Sequence, residues 1–278
     1  MQIAVLNQFD TNTEIAKKFA LDNKLKYLED LNLDHSKKIF FNRYSKEYEF
    51  LIRFGESGIY LTDIRGNHQV DILVDFLEGA NAHRRYFGGG KNQAIAKAVG
   101  INKNKMIRIL DATAGFGADA FVLAGLGSFV DMVERSAIVQ LLLADGLHRA
   151  NHYAAEHDQE LASILNRMSL IHSDSIQWMR SNIDAKGHYD VVYLDPMFPI
   201  STKSAKVKKE MAVLHSLIGL DHDDDQLLEL ALSVAKFRVV VKRARLAPLL
   251  ANRQPTMQIV GKSSRFDVFV LRKMTNDR

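Results

Sequence analysis

From Met106 to Arg243 short apolar runs alternate with helical stretches, and no other feature narrows the fold of this chain as much. MIRILD, SFVDMVE, MSLIHSD, YDVVYLD and FRVVVKR each read as a strand too apolar to leave one face in water. Between them lie segments such as ADAFVLAGLG and SAIVQLLLADGLHRANHYA, whose apolar spacing is helical. Parallel neighbours can be reached only through a crossover, so this order demands a doubly wound, mostly parallel α/β sheet covered on both faces. The run TMQIVGKSSRFDVFVL instead gives two strands and a short turn, an antiparallel hairpin that finishes the sheet.

The N-terminal part differs in texture. IAVL, KKIFFNRY, YEFLIRF and GIYLTDI read as short β-like runs, and TEIAKKFALD as a helix capped by Asn12 or Thr13. These predict a small α+β domain over 1–75, not a parallel sheet, followed by the larger domain over 76–278. The 278 residues are 47% hydrophobic and 25% charged, an ordinary balance for a folded soluble protein. No cysteine is present, which excludes disulfides and thiolate metal sites and suits a reducing cytoplasm. MQIAVLNQFDTNTEIAKKF has no leader pattern, and no run approaches the ~18 apolar residues that span a membrane. The ten histidines show no ligand spacing, so no metal is expected. A monomer is the simplest expectation.

MIRILD runs directly into Asp111-Ala-Thr-Ala-Gly115-Phe-Gly117 and then a helix beginning with Ala118 and Asp119. Glycines allow a sharp turn and close approach of a ligand to the main chain, with helix amides pointing into the gap. Gly115 to Ala120 also matches the dinucleotide fingerprint G-x-G-x-x-G/A, a weak signal alone. Asp111 discriminates: a carboxylate at the strand end suits the cationic methionine end of S-adenosylmethionine and would repel a pyrophosphate. Glu134 ends the second strand, where it can accept both ribose hydroxyls, and Asp174-Ser175 ends the third, where an acid can accept from an adenine amine. Each acid taken alone could instead cap the following helix.

The fourth strand leads into Asp195-Pro196-Met-Phe198-Pro, which resembles the Asp/Asn-Pro-Pro-Tyr/Phe signature of methyltransferases acting on planar amino groups. Such a nitrogen shares its lone pair with the ring and is a poor nucleophile. A carboxylate and a backbone carbonyl, accepting its two N–H bonds, aim it at the methyl group, while Phe198 stacks on the base. Lys203, Lys206, Lys208 and Lys209 follow directly, and Arg84, Arg85 and Lys91 form a second basic cluster. Lys242 and Arg243 close the fifth strand. Gathered at one edge of the sheet, these cations suit RNA phosphates; singly, each is an ordinary solvated face.

LVDFLEGANAHRRYFGGGKNQAIAKAVG, LDATAGFGADAFVLA, VERSAIVQLLLADGL and VVYLDPMFPISTKSAKVKKEM together resemble the RsmJ-type family, the bacterial 16S ribosomal RNA guanine-N2 methyltransferases. The resemblance runs from about Asp71 to the hairpin and implies a Rossmann-like methyltransferase fold. It implies S-adenosylmethionine as methyl donor and ribosomal RNA or the small ribosomal subunit as partner. It also implies cofactor contacts at Ala118, Asp119, Glu134, Arg135, Asp174, Ser175 and Asp195. Ala118 stands where an arginine is common and Asp174 where a serine is common. The residues alone leave open methylation of another base amine, adenine N6, or of another RNA. Two other classes also share parts of this pattern, a nicotinamide-dependent oxidoreductase and a non-catalytic RNA-binding assembly factor. Asp111 and the Asp195-Pro196 step argue against the first, and the intact set of acids against the second.

Overall fold

The structure is a computed structural model that describes residues 2–31, 37–66, 69–87, 93–101, 106–182, 188–196, 212–213, 216–217 and 224–274. The chain separates into two compact units. The first is built mainly from 1–74 and 141–149, the second from 75–140, 150–199 and 220–278.

In the first unit β1 (Ile3–Asn7), β2 (Lys26–Glu29), β3 (Phe50–Gly55), β4 (Gly58–Asp63) and β5 (Val70–Ile72) form one sheet in the order β2-β1-β3-β4-β5. The region was expected not to be a parallel sheet, and the sheet is mixed: β1 lies parallel to both β2 and β3, while β3-β4-β5 is antiparallel. The helix expected over TEIAKKFALD is present as α1 (Thr13–Asp22). KKIFFNRY, expected as a β-like run, is α2 (Lys37–Tyr44). Its apolar residues explain why. Phe40 and Tyr44 are four apart, so on a helix they share one face. Both are buried against Ala4, Leu6, Leu51 and Ile64, their rings 5.0 Å apart. The Tyr44 hydroxyl donates to the buried Asp30 carboxylate at 2.8 Å.

In the second unit all five apolar runs are strands: β6 (Arg108–Asp111), β7 (Phe129–Glu134), β8 (Met168–His172), β9 (Tyr189–Leu194) and β10 (Ala235–Ala244). The C-terminal hairpin is β11 (Met257–Val260) with β12 (Ser264–Val270). The sheet order is β11-β12-β10-β9-β6-β7-β8, parallel from β10 to β8, with β12 antiparallel to β10. The described helices here are α3 (Gly79–Phe87), α4 (Ala94–Val99), α5 (Ala118–Gly125), α7 (Gln159–Leu165), α8 (Ser175–Ser181), α9 (Asp224–Val234) and the two ends of α6 (Ala137–His157), whose middle, 141–149, is counted with the first unit. One core joins Leu110, Val192, Leu194, Val239 and Val241 of the strands to Met179 of α8 and Leu228 and Ala231 of α9. Parallel register then brings the carboxyl ends of β6, β7, β8, β9 and β10 to one edge, where doubly wound sheets bind their ligands. Among the described residues no helix is long and apolar enough to cross a membrane, and no group of His, Asp or Glu could hold a metal ion.

Candidate active site

The loop after β6 is held at both sides. The Ala112 N–H donates to the Tyr193 carbonyl of β9 at 3.0 Å, and the Ala114 N–H to the Val133 carbonyl of β7 at 3.2 Å. Between these anchors Gly115 and Gly117 take φ of 54° and 73°, a left-handed conformation that side chains resist. A Cβ on Gly115 would meet nothing within 4 Å, so the loop backbone opens onto free space. Gly117 caps α5, and Ala118 and Asp119 form its first turn.

The acids divide by role. Asp111 is 2% exposed and accepts the Thr113 N–H at 3.1 Å, bracing the loop. Burial pushes its carboxyl up to about 7. Glu134 is also buried, which raises it. It accepts the Gly115 N–H at 3.0 Å and the Ser136 N–H at 2.7 Å, fixing the loop to the end of β7. A carboxylate has about four acceptor sites, more than these backbone donors fill, which leaves capacity for a ribose hydroxyl. Asp174 is half-buried and caps α8 by accepting the Gln177 N–H at 3.0 Å, the capping role that competed with a ligand role. Ser175 donates its hydroxyl to the Ala112 carbonyl, tying α8 to the glycine loop. Arg135 is exposed beside them. Backbone amides, open space above Gly115 and spare carboxylate capacity at three strand ends suit the amino, ribose and adenine groups of S-adenosylmethionine.

Asp195 and Pro196 leave the end of β9 next to this loop. The Asp195 N–H donates to the Thr113 hydroxyl at 2.6 Å, fixing the backbone of the motif to the glycine loop. Lys242, two residues before the end of β10, extends its ammonium to Asp195 Oδ2 at 2.8 Å and Asp119 Oδ2 at 2.6 Å. Asp119 also accepts the hydroxyl of the buried Tyr193 at 2.8 Å. Lys242 is therefore not a freely offered phosphate contact, as its place in a basic run had suggested, but the centre of an Asp119–Lys242–Asp195 triad. Burial works against its charge, and the two carboxylates outweigh it and hold the ammonium above its ordinary value. Burial pushes Asp195 upward against the opposing pull of Lys242.

Two more expected RNA contacts have other partners. Arg243 is 3% exposed and donates twice to the Pro248 carbonyl, at 3.0 and 2.6 Å. The Arg85 side chain is 8% exposed and bridges Asp158 and Glu160. A buried guanidinium with its donors on protein oxygens has little left for phosphate. Phe198, Lys91, Lys203, Lys206, Lys208 and Lys209 lie outside the described residues, as does the side chain of Arg84. Thr113 and Tyr193 were missed in the sequence, where each looks like filler. The signal for Lys242 was present: a lysine directly after the apolar run Val239-Val240-Val241 of a buried strand needs a partner.

Comparison with known proteins agrees with this geometry. Residues 35–271 match a family described as SAM-dependent methyltransferase. Ribosomal RNA small subunit methyltransferase J of Saccharophagus degradans is 46% identical over 264 residues, 94% of each chain. The protein of that name from Colwellia psychrerythraea is 50% identical over 224 residues, 80% of this chain and 78% of its own. The crystal structure of a SAM-dependent methyltransferase from Neisseria gonorrhoeae superposes with a TM-score of 0.67 at 32% identity, covering 96% of this chain and 95% of that one.

Proposed function

This chain belongs to the SAM-dependent methyltransferase family, and we propose that it methylates the exocyclic N2 amine of a guanine in small-subunit (16S) ribosomal RNA. S-adenosylmethionine is the methyl donor, and when bound it supplies a methyl group made electrophilic by a sulfonium. The RNA substrate rests on the names of relatives that align with 94% and 80% of this chain. The observation that carries the reaction type is Asp195, fixed beside the glycine loop by Thr113 through its backbone and by Lys242 through one carboxylate oxygen.

The chain's own residues divide the work. Lys242 occupies Oδ2 of Asp195, which leaves Oδ1 to accept one N–H of the target amine. The Pro196 carbonyl accepts the other, its direction limited by the proline ring. Held at both hydrogens, the nitrogen turns its lone pair toward the incoming methyl group without losing a proton first. Once the N–C bond forms, the nitrogen sheds one proton, and the Asp195 carboxylate is the acceptor beside it. Phe198 stacks on the unstacked base. Glu134 holds the ribose hydroxyls, and the amides of Gly117, Ala118 and Asp119 face the cofactor. Lys203, Lys206, Lys208 and Lys209 draw the RNA phosphates to this edge.

The test is methyl transfer to small subunits from a strain lacking the protein, followed by mapping of the modified nucleotide. Asp195→Ala should lose at least ~100-fold in kcat at saturating S-adenosylmethionine, the scale for removing one preorganised electrostatic partner. Asp195→Asn keeps one acceptor oxygen and should retain clearly more activity than the alanine variant. Turnover of Asp195→Ala near that of the unaltered protein would move the reaction centre elsewhere, and a methyl group found on an adenine would redirect the substrate.

A further inference from the structure

Past the end of β10 the chain makes a tight turn, Ala244-Arg245-Leu246-Ala247, closed by the Ala247 N–H on the Ala244 carbonyl at 3.0 Å. The turn is braced from beneath to an unusual degree. Arg265 donates Nη1 to the carbonyls of Arg245 at 3.0 Å and Ala247 at 2.6 Å. Arg243 donates twice to the next carbonyl, Pro248, and Arg265 Nη2 reaches the same oxygen at 3.3 Å. Arg265 is gripped in turn by both oxygens of Asp267, at 2.9 and 3.1 Å. These three charged residues are 7% exposed or less. Burying two guanidiniums and a carboxylate is costly unless they are paired this well, and the two guanidiniums converge on three main-chain carbonyls, those of Arg245, Ala247 and Pro248.

What the braced turn presents is opposite in character. Leu246 at its corner is 93% exposed, the highest value among the exposed large hydrophobic residues described. Its corner partner Arg245 is exposed, as is Lys262 in the β11–β12 turn, which meets this one through the Arg245 N–H on the Ser263 carbonyl at 3.1 Å. A fully solvated leucine on a rigid ledge gains nothing for the fold. Its position is equally specific. Leu246 lies four residues beyond Lys242, whose ammonium touches Asp195, so the ledge stands at the catalytic edge within about 13 Å of chain from that lysine.

We propose that the Arg245–Leu246 turn is a wedge for the RNA substrate. Leu246 enters the base stack beside the target nucleotide and fills the space the extruded guanine leaves, while Arg245 and Lys262 hold the flanking phosphates. This rests on the RNA reading above. A base buried in a stack must be unstacked to reach Asp195, and apolar side chains inserted at a base step do this in other nucleic-acid-binding proteins. A soft side chain can serve as a wedge only if its backbone does not yield, which accounts for the arginine bracing.

The chain has no cysteine, so Leu246→Cys carries a single benzophenone photo-crosslinker cleanly. Irradiated with small subunits that lack the modification, position 246 should crosslink to 16S ribosomal RNA. Crosslinks only to a ribosomal protein, only to a second copy of the chain, or to nothing overturn the wedge. In the transfer assay Leu246→Ala should lower kcat at least 10-fold with unchanged thermal stability and S-adenosylmethionine affinity, and Leu246→Met should restore most of it. Arg245→Ala should instead raise KM and flatten its salt dependence by about one unit of slope. An active unaltered protein matched in kcat by Leu246→Ala overturns the wedge alone. An unaltered protein that transfers no methyl to these subunits overturns the substrate reading and the wedge with it.

Discussion

Asp111 sits under the glycine loop at 2% exposure, and burial takes its carboxyl up to about 7. An aspartate raised in this way inverts the usual acid-stability relation. Its contribution is fully present below the unfolded value near 3.9, and it is lost as pH rises through about 7, because the folded state there holds a buried anion. A rise of this size corresponds to on the order of 4 kcal/mol. Asp111→Asn keeps an oxygen to accept the Thr113 N–H and removes the charge. Without cofactor, the variant should therefore unfold at higher temperature than the unaltered protein at pH 8. The advantage should shrink as pH falls and vanish near pH 4. A gain that is the same at both ends of this range would show that the charge is not its source. The charge has a use despite its cost, since an anion under the loop attracts a cationic ligand. This much was readable at Asp111 from its place at a strand end. The triad of Asp119, Lys242 and Asp195 was not. Lys242 lies 47 residues from Asp195 and 123 from Asp119, and only the sheet order β10-β9-β6 brings them together.

At the level of elements, periodicity read best where strands are buried on both faces. The five apolar runs became β6 to β10, since few other structures accept so continuous an apolar segment. It failed on KKIFFNRY and on β2, KYLE. The first has an apolar triplet that suits either period, and the choice fell to a tertiary contact, Tyr44 on Asp30. The second is a four-residue edge strand without buried positions. Gly146 tests the same tension between local preference and packing. It lies within α6, where intrinsic propensity favours alanine by about 1 kcal/mol. An added Cβ would stand 2.7 Å from the Val74 carbonyl oxygen and 2.8 Å from Val74 Cγ1, in the same compact unit. A backbone oxygen cannot swing aside as a side chain can. Overpacking of this kind costs about 1–3 kcal/mol, so Gly146→Ala should destabilise despite its better propensity. Denaturant unfolding that finds Gly146→Ala more stable would mean that α6 shifts freely against Val74.

For the whole molecule, every described residue assigned to the cofactor belongs to the second compact unit, so cofactor binding should stabilise that unit first. The chain provides its own reporter. Its one tryptophan, Trp178, lies on α8, directly after the Asp174-Ser175 strand end and packed against the core of the same unit. A ligand at 100 times its Kd stabilises the state that binds it by about 2.7 kcal/mol, which in a protein of this size raises the midpoint by several degrees. Thermal unfolding followed by Trp178 fluorescence should show that rise when S-adenosylmethionine is added. Glu134→Ala should affect both curves, in separable ways. Without cofactor it leaves the Gly115 and Ser136 N–H groups without their acceptor, costing about 1–3 kcal/mol and lowering the midpoint. With cofactor it also removes the acceptor for the ribose hydroxyls, so the added rise should nearly disappear at concentrations that saturate the unaltered protein. If Glu134→Ala unfolds earlier yet keeps the full rise, Glu134 only holds the loop, and the ribose is bound by other groups.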